Sequence, residues 1–476
     1  MSTPTFFWHD YETFGRVPRR DRPAQFAGVR TDLELHEVDA PVMLHCQPAP
    51  DLLPDPESVL LTGILPQHCQ AHGLPEHAFA DAVARELGRP GTIGVGYNSI
   101  RFDDEVTRFL FWRNLMDPYA REWRDGCGRW DLLDVLRCAY ALRPDGIEWP
   151  RDDAGRVSFR LERLTAANGL AHEAAHDALS DVRATVALAR LMKSRQPRLW
   201  DFCLKLREKS AVQAQIVAGR PLLHVSGQYP VERGCLAIVW PFAPHPVNRN
   251  EVIVWDLAQD PGLLMSLSAD EIRARLFVRD ADLPEGVTRL PLKTVHINRA
   301  PVVIGQLQTL DDATAARWGL DKGLAMRHAE RAGQISGELL GVWDKVFARE
   351  APANRPDVDE DLYGGFVGDD DRRRLAQLRA LPPQALARER PVFRDARLDE
   401  LLFRYRARNF PETLDDGERE RWHRHCVARL HEGADGATTL AAFQARIDEL
   451  AESADERGQA LLEALLDHAE AIAPEA

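Results

Sequence analysis

Apolar and polar positions change texture three times along the chain. In the first part, Thr5–Glu12 and Thr92–Tyr97 read as short apolar strands. Val106 to Leu115, Leu132 to Tyr140 and Ala178 to Met192 carry the spacing of helices with one buried face. Alternating strands and helices predict an α/β domain. The stretch Lys193-Ser-Arg-Gln-Pro-Arg198 is polar and holds a proline, and it is the first expected boundary. From about residue 220 to 305 the runs become short and β-like: Leu222–Val225, Leu236–Trp240 and Val252–Trp255, separated by Gly, Pro and Asn. A second boundary is expected near Ala351–Asp357, where Pro352, Asn354 and Pro356 cluster. Beyond it Leu398, Leu401, Leu402 and Tyr405 follow i, i+3, i+4, i+7 spacing, and Ala460 to Ile472 is a further expected helix. The expected domains are therefore 1–194, 195–351 and 352–476.

Length agrees with that division, because 476 residues exceed what one core usually serves. Hydrophobic residues at 45% and charged residues at 28% fit a soluble globular chain. No apolar run approaches the roughly 18 residues that span a bilayer. Met1 to Asp10 lacks a basic start followed by an apolar core, so the expected location is cytoplasmic, with no membrane partner. The seven cysteines, at 46, 69, 127, 138, 203, 235 and 426, form no CxxC pair, which points to reduced thiols rather than zinc or disulfides.

A net charge of −14 argues against a nucleic-acid partner unless basic groups are local. Residues 193–233 carry eight Lys or Arg against three acids, and residues 372–408 carry eleven Arg against four. An acidic body with basic stripes can still hold DNA, and an acidic metal site would itself add negative charge.

The chemistry-bearing residues lie in three segments. In a strand, Asp10 and Glu12 would share one face at the end of an apolar run, two adjacent carboxylates that are costly unless a cation sits between them; taken alone, the pair reads rather as a solvated strand end. Oxygen-rich sites of this kind suit magnesium or manganese. Asp103, in Asn98-Ser-Ile-Arg-Phe-Asp-Asp104, opens a helix; it is either an N-cap or a third carboxylate aimed at the metal. His176-Asp-Ala-Leu-Ser-Asp181 leads into another helix. Asp181 is expected on its first turns, and His176 in the loop before it. Asp104 and Asp177 read as helix-start residues that favour the N-terminal dipole.

These three segments resemble the motifs of the DEDD exonuclease superfamily, in the subgroup whose third motif is His-x-x-x-x-Asp. More narrowly, the chain resembles the bacterial exodeoxyribonuclease I family. That resemblance rests on HDYETFG (9–15), DRPAQFA (21–27), RFDDEVTR (101–108), RWDLLDV (129–135), HDALSDV (176–182), RQPRL (195–199), HVSG (224–227) and YRARNFP (405–411). It implies a ribonuclease H-like exonuclease domain, then an SH3-like domain, then an α-helical C-terminal domain.

The resemblance further implies magnesium-dependent 3′→5′ hydrolysis of single-stranded DNA to 5′-mononucleotides, in DNA repair and recombination. Two magnesium ions are implied, with manganese as a substitute. Asp10, Glu12 and Asp181 would hold one ion, Asp10 would share the second, and Asp103 would assist through water. His176, with an imidazole suited to proton transfer near neutral pH, would deprotonate the attacking water. Glu12, Thr13 and Arg160 are expected near the terminal nucleotide, with Arg108 and Arg143 as further substrate contacts. Lys293-Thr-Val-His-Ile-Asn-Arg299 and Tyr405-Arg-Ala-Arg-Asn-Phe410 combine cations with rings and are expected strand contacts or plain solvated faces. The family docks the acidic C-terminal tail of single-stranded DNA-binding protein, for which Arg220 is the matching basic position. A monomer is expected. The rivals are a 3′→5′ exoribonuclease of the same superfamily and a non-catalytic strand-binding module.

Overall fold

The computed structural model describes residues 3–171, 177–348 and 355–475. The chain forms two compact units: residues 1–128, 172–183 and 353–476 make up the first, and 129–171 with 184–352 the second.

In the first unit four strands lie in the order β3-β2-β1-β4: β1 (Thr5–Thr13), β2 (Pro23–Thr31), β3 (Val42–His45) and β4 (Thr92–Gly96). β1 runs antiparallel to β2 and parallel to β4, and the parallel pairing ends at Trp8–Val95. Phe6, Phe7 and Trp8 are buried because both faces of the sheet are covered there. Past Trp8 the burial of β1 alternates: Tyr11 and Thr13 are buried, whereas Asp10 and Glu12 share the half-open face. Gly96 ends β4 where a Cβ would lie 2.8 Å from the His9 carbonyl oxygen and 2.7 Å from Ser99 Cβ, so only glycine lets the following loop cross here. That loop enters the helix Asp103–Arg113.

The helices after residue 355 belong to this same unit. Leu430, Phe443, Ile447, Leu462 and Leu465 pack with Phe14, Ala24, Val59 and Cys69. Leu375, Leu398, Leu401 and Tyr405 pack with Phe109, Trp112 and Leu115. The helical texture expected of the C-terminal part is observed, and the apolar faces of these helices are buried against the N-terminal segment.

β5 (Gly128–Asp131) carries the chain into the second unit. That unit holds an antiparallel sheet in the order β10-β6-β7-β8-β9: β6 (Leu222–Val225), β7 (Leu236–Pro244), β8 (Glu251–Asp256), β9 (Leu292–His296) and β10 (Val302–Ile304). The 25-residue helix Lys322–Val346 packs on β7, where Trp240 Nε1 donates to Ser336 Oγ at 3.1 Å. Pro197 does not open a linker. The helix Ala178–Arg195 stops two residues earlier, and the proline takes the first turn of Pro197–Lys205, where its missing N–H costs nothing. All seven cysteines are free thiols. Among the described residues no helix is long and apolar enough to cross a membrane.

Candidate active site

Asp10, Glu12 and Asp181 come together at the C-terminal end of β1. Each offers an oxygen, all lying within 4.8 Å of one another, and all three side chains are half-buried. Asp181 sits in the first turn of Ala178–Arg195. Gln25 holds that helix start in place: it lies opposite Glu12 in the β1–β2 register, and its Oε1 accepts from Ala178 N at 3.1 Å. Gln25 is buried and was not singled out by motif reading, although it falls within DRPAQFA. Asp177 acts as the helix-start residue expected of it, its Oδ1 accepting from Ser180 N at 3.0 Å.

Asp103 occupies the first helical position, with Phe102 as N-cap, so it does not cap its own helix. Its Oδ1 instead accepts from Tyr11 N at 3.0 Å, on the strand between Asp10 and Glu12. It stands beside the three converging carboxylates rather than among them. Asp104 is buried against Arg121 at 2.5 Å, a structural pair.

The electrostatics of the cluster call for a cation. Burial, then the charges of Asp103, Glu12 and Asp181, push the Asp10 carboxyl well above its ordinary range. Burial, then Asp181 and Asp177, raise Glu12 to about 8. A group of mutually repelling, desolvated carboxylates with all-oxygen donors fits a hard divalent cation such as magnesium.

This has a consequence for stability. Between the ordinary carboxyl value of 4.5 and about 8, the folded protein keeps a proton on Glu12 that the unfolded chain releases. The unfolded state then binds fewer protons, so stability of the metal-free protein falls as pH rises through that window. Melting in EDTA should show a lower Tm at pH 8 than at pH 5.5, and magnesium should raise Tm more at pH 8. An equal magnesium shift at both values would contradict the assignment.

The remaining expected residues separate into groups. His176 lies outside the described residues. Thr13 is buried just past the carboxylates, its Oγ1 donating to the Gly15 carbonyl at 2.5 Å. Arg143, Arg160 and Arg220 belong to the second unit, and each is exposed.

The Arg108 guanidinium is buried and pairs with Glu105 on its own helix and with Glu122 beyond it, each at 2.7 Å. The Tyr405–Phe410 segment is likewise internal. Tyr405 and Arg406 are buried, and Arg406 pairs with Glu418 at 2.7 Å. Arg408 pairs with Asp51 at 2.7 Å and with Asp359 at 2.5 Å. Part of the basic excess counted over 372–408 is therefore spent on internal ion pairs. Lys293 and His296, by contrast, line a cavity of about 570 Å³ in the second unit, together with Arg289, Phe277 and Phe347.

Comparison with known proteins agrees with this geometry over nearly the whole chain. Residues 7–189 match a family model described as exonuclease, residues 207–349 the exonuclease I SH3-like domain, and residues 356–472 the exonuclease I C-terminal domain. Exodeoxyribonuclease I of Escherichia coli is 47% identical over 427 residues, covering 88% of this chain and 89% of that one. The chain belongs to the exodeoxyribonuclease I family. The Haemophilus influenzae exodeoxyribonuclease I is 43% identical over 434 residues, covering 90% of this chain and 91% of its own.

Solved structures agree. Exonuclease I of Methylocaldum szegediense superposes with a TM-score of 0.93 at 48% identity, covering 98% of this chain and 99% of that one. Escherichia coli exonuclease I in complex with a dA16 oligonucleotide gives 0.90 at 44%, covering 99% and 100%. As an exodeoxyribonuclease I, the chain is an exonuclease with a ribonuclease H-like domain, an SH3-like domain and a helical C-terminal segment.

Proposed function

We propose that the protein removes nucleotides one at a time from the 3′ end of single-stranded DNA, in a magnesium-dependent reaction releasing 5′-mononucleotides, and that it serves DNA repair and recombination. The observation that carries this reading is the convergence of Asp10, Glu12 and Asp181 in a chain of this family. Family members of known structure hold single-stranded oligonucleotides, dA16 among them.

Asp10, Glu12 and Asp181 would hold the cation, and Asp103, fixed by Tyr11 N–H, would orient water beside them. Bound magnesium would supply Lewis-acid stabilisation of the phosphoryl oxygens and an acidified water. Glu12 and Thr13 would position the terminal sugar, and the exposed Arg160 would meet a phosphate. His176 is the general base in this scheme, because an imidazole accepts a proton near neutral pH without prior deprotonation. In this reading the division 1–194, 195–351 and 352–476 describes functional parts, and a monomer suffices for catalysis.

The protein also engages single-stranded DNA-binding protein in this proposal, since an exonuclease I structure pairs the two in complex with an inhibitor. The exposed Arg220 would receive the carboxylate end of the partner's acidic tail. Arg220→Ala should weaken binding of a tail peptide about tenfold, consistent with the roughly 1.5–3 kcal/mol of a charge-assisted bond. Unchanged binding by fluorescence anisotropy would remove Arg220 from that role.

The ribonuclease and binding-module rivals are separated by one assay. A 5′-labelled strand of DNA or RNA is incubated with magnesium or EDTA. Faster shortening of RNA favours the ribonuclease, and binding without shortening favours the module.

A further inference from the structure

Three imidazoles meet on the surface of the first unit, away from any role given above. His68 and His72 are four residues apart on the helix Pro66–His72 and so share one face. His45 ends β3 beside them. The ring centroids of His45 and His68 lie 4.8 Å apart, as do those of His68 and His72.

The backbone fixes this juxtaposition. Leu74 N donates to His45 O at 2.8 Å, and Gln47 N donates to Leu74 O at 2.9 Å, stitching the end of the helix to the end of β3. Between them sits Gly73, where a Cβ would lie 2.4 Å from the Cys69 carbonyl oxygen and 3.0 Å from the backbone of Cys46 and Gln47. Any larger residue would push His72 away from His45. Cys69, about 100° round the helix from His68, is fully buried and anchors it.

His45 is held as a neutral imidazole whose Nε2 lone pair faces an amide N–H, which a metal bound at that nitrogen would have to displace. Ala178 N–H fixes the amide of Gln25 by donating to its Oε1, which turns Gln25 Nε2 toward His45 Nε2 at 3.4 Å. An amide N–H facing that nitrogen leaves it as the unprotonated acceptor. Burial, then the neighbouring His68 and His72, lower the pKa of His45 and favour its neutral form.

We propose that His45, His68 and His72 form a binding site for a borderline divalent transition-metal ion, zinc foremost, separate from the carboxylate cluster. Imidazoles suit zinc, copper and nickel, whereas magnesium prefers oxygen, so the two sites sort their ions by donor chemistry. Three imidazoles leave a fourth position for water. Among the described residues only the carboxylates already bring three donors within 4.8 Å of one another. Closure on the metal therefore requires ring rotation, which the exposure of His68 and His72 allows. Through Gln25, the site abuts the start of the helix that carries Asp181.

The test uses the full-length protein in saturating magnesium, titrated with zinc by calorimetry, beside the double variant His68→Gln/His72→Gln. Both substitutions are on exposed side chains, and Tm checks that the fold is kept. The wild type should take up one more zinc equivalent than the variant, or bind it at least tenfold more tightly, with magnesium-dependent activity equal in the two. Asp181→Ala should keep that equivalent. Cobalt added to the wild type should give the visible absorption of a nitrogen-ligated site, absent from the double variant. Identical zinc uptake in wild type and double variant, or loss of the equivalent only in Asp181→Ala, would overturn the proposal.

Discussion

Asp10→Ala should lower single-strand exonuclease activity by roughly a thousandfold or more, because a catalytic divalent cation contributes several kcal/mol and each 1.36 kcal/mol is tenfold in rate. The size of the effect follows from the position of Asp10. It shares the half-open face of β1 with Glu12, and it feels the charges of Asp103, Glu12, Asp181 and Asp177. Removing it deletes a donor from the cation site. It also relieves repulsion on Glu12 and Asp181, so the variant should fold well. Its metal-free Tm at pH 8 should equal or exceed that of the wild type, while the magnesium-induced rise in Tm is lost. Asp181→Ala should behave in the same way. A variant that is inactive and also poorly folded would instead assign Asp10 a structural role.

Arg408→Ala should destabilise the protein by about 3–5 kcal/mol, the usual consequence of stranding a buried ion-pair partner. Here two buried acids lose their shortest ion pair. Arg408 is buried, as are Asp51 and Asp359, which it bridges. Burial alone would raise both aspartates, yet Arg408 holds Asp51 well below the ordinary carboxylate range, and Arg408 with Arg22 does the same for Asp359. Without the guanidinium, Asp51 keeps His425 at 3.2 Å and Asp359 the longer pairs to Arg22 at 3.3 Å and Arg404 at 3.4 Å, so both acids take up protons more readily. Arg408 also joins the C-terminal helices to the segment after β3, within the first unit. Denaturant unfolding should therefore show a lower midpoint, partly restored at acid pH, where these acids are protonated. A change below 1 kcal/mol would mean that the network contributes little.

The carboxylate site was legible in the sequence because strand periodicity alone sets Asp10 and Glu12 on one face, and a helix start fixes where Asp181 can point. Strand and helix positions were legible for the same reason. β6 is observed at the predicted Leu222–Val225, and β1 extends one residue past the predicted Thr5–Glu12. What the sequence hid was partnership. Nothing local to Arg108 or Arg408 reveals Glu122 fourteen residues on, or Asp51 more than three hundred residues away. Gln25 was hidden likewise, since its bond to Ala178 N spans 153 positions. The helical C-terminal part was legible from its texture, but periodicity reports an apolar face and not which surface will cover it.

The most direct test places purified protein on a 5′-labelled DNA oligonucleotide, single-stranded or duplex, with magnesium or EDTA and an Asp10→Ala control. The account predicts shortening from the 3′ end of the single strand, dependent on magnesium and absent from the control. Shortening that persists in EDTA, or in Asp10→Ala, would contradict it.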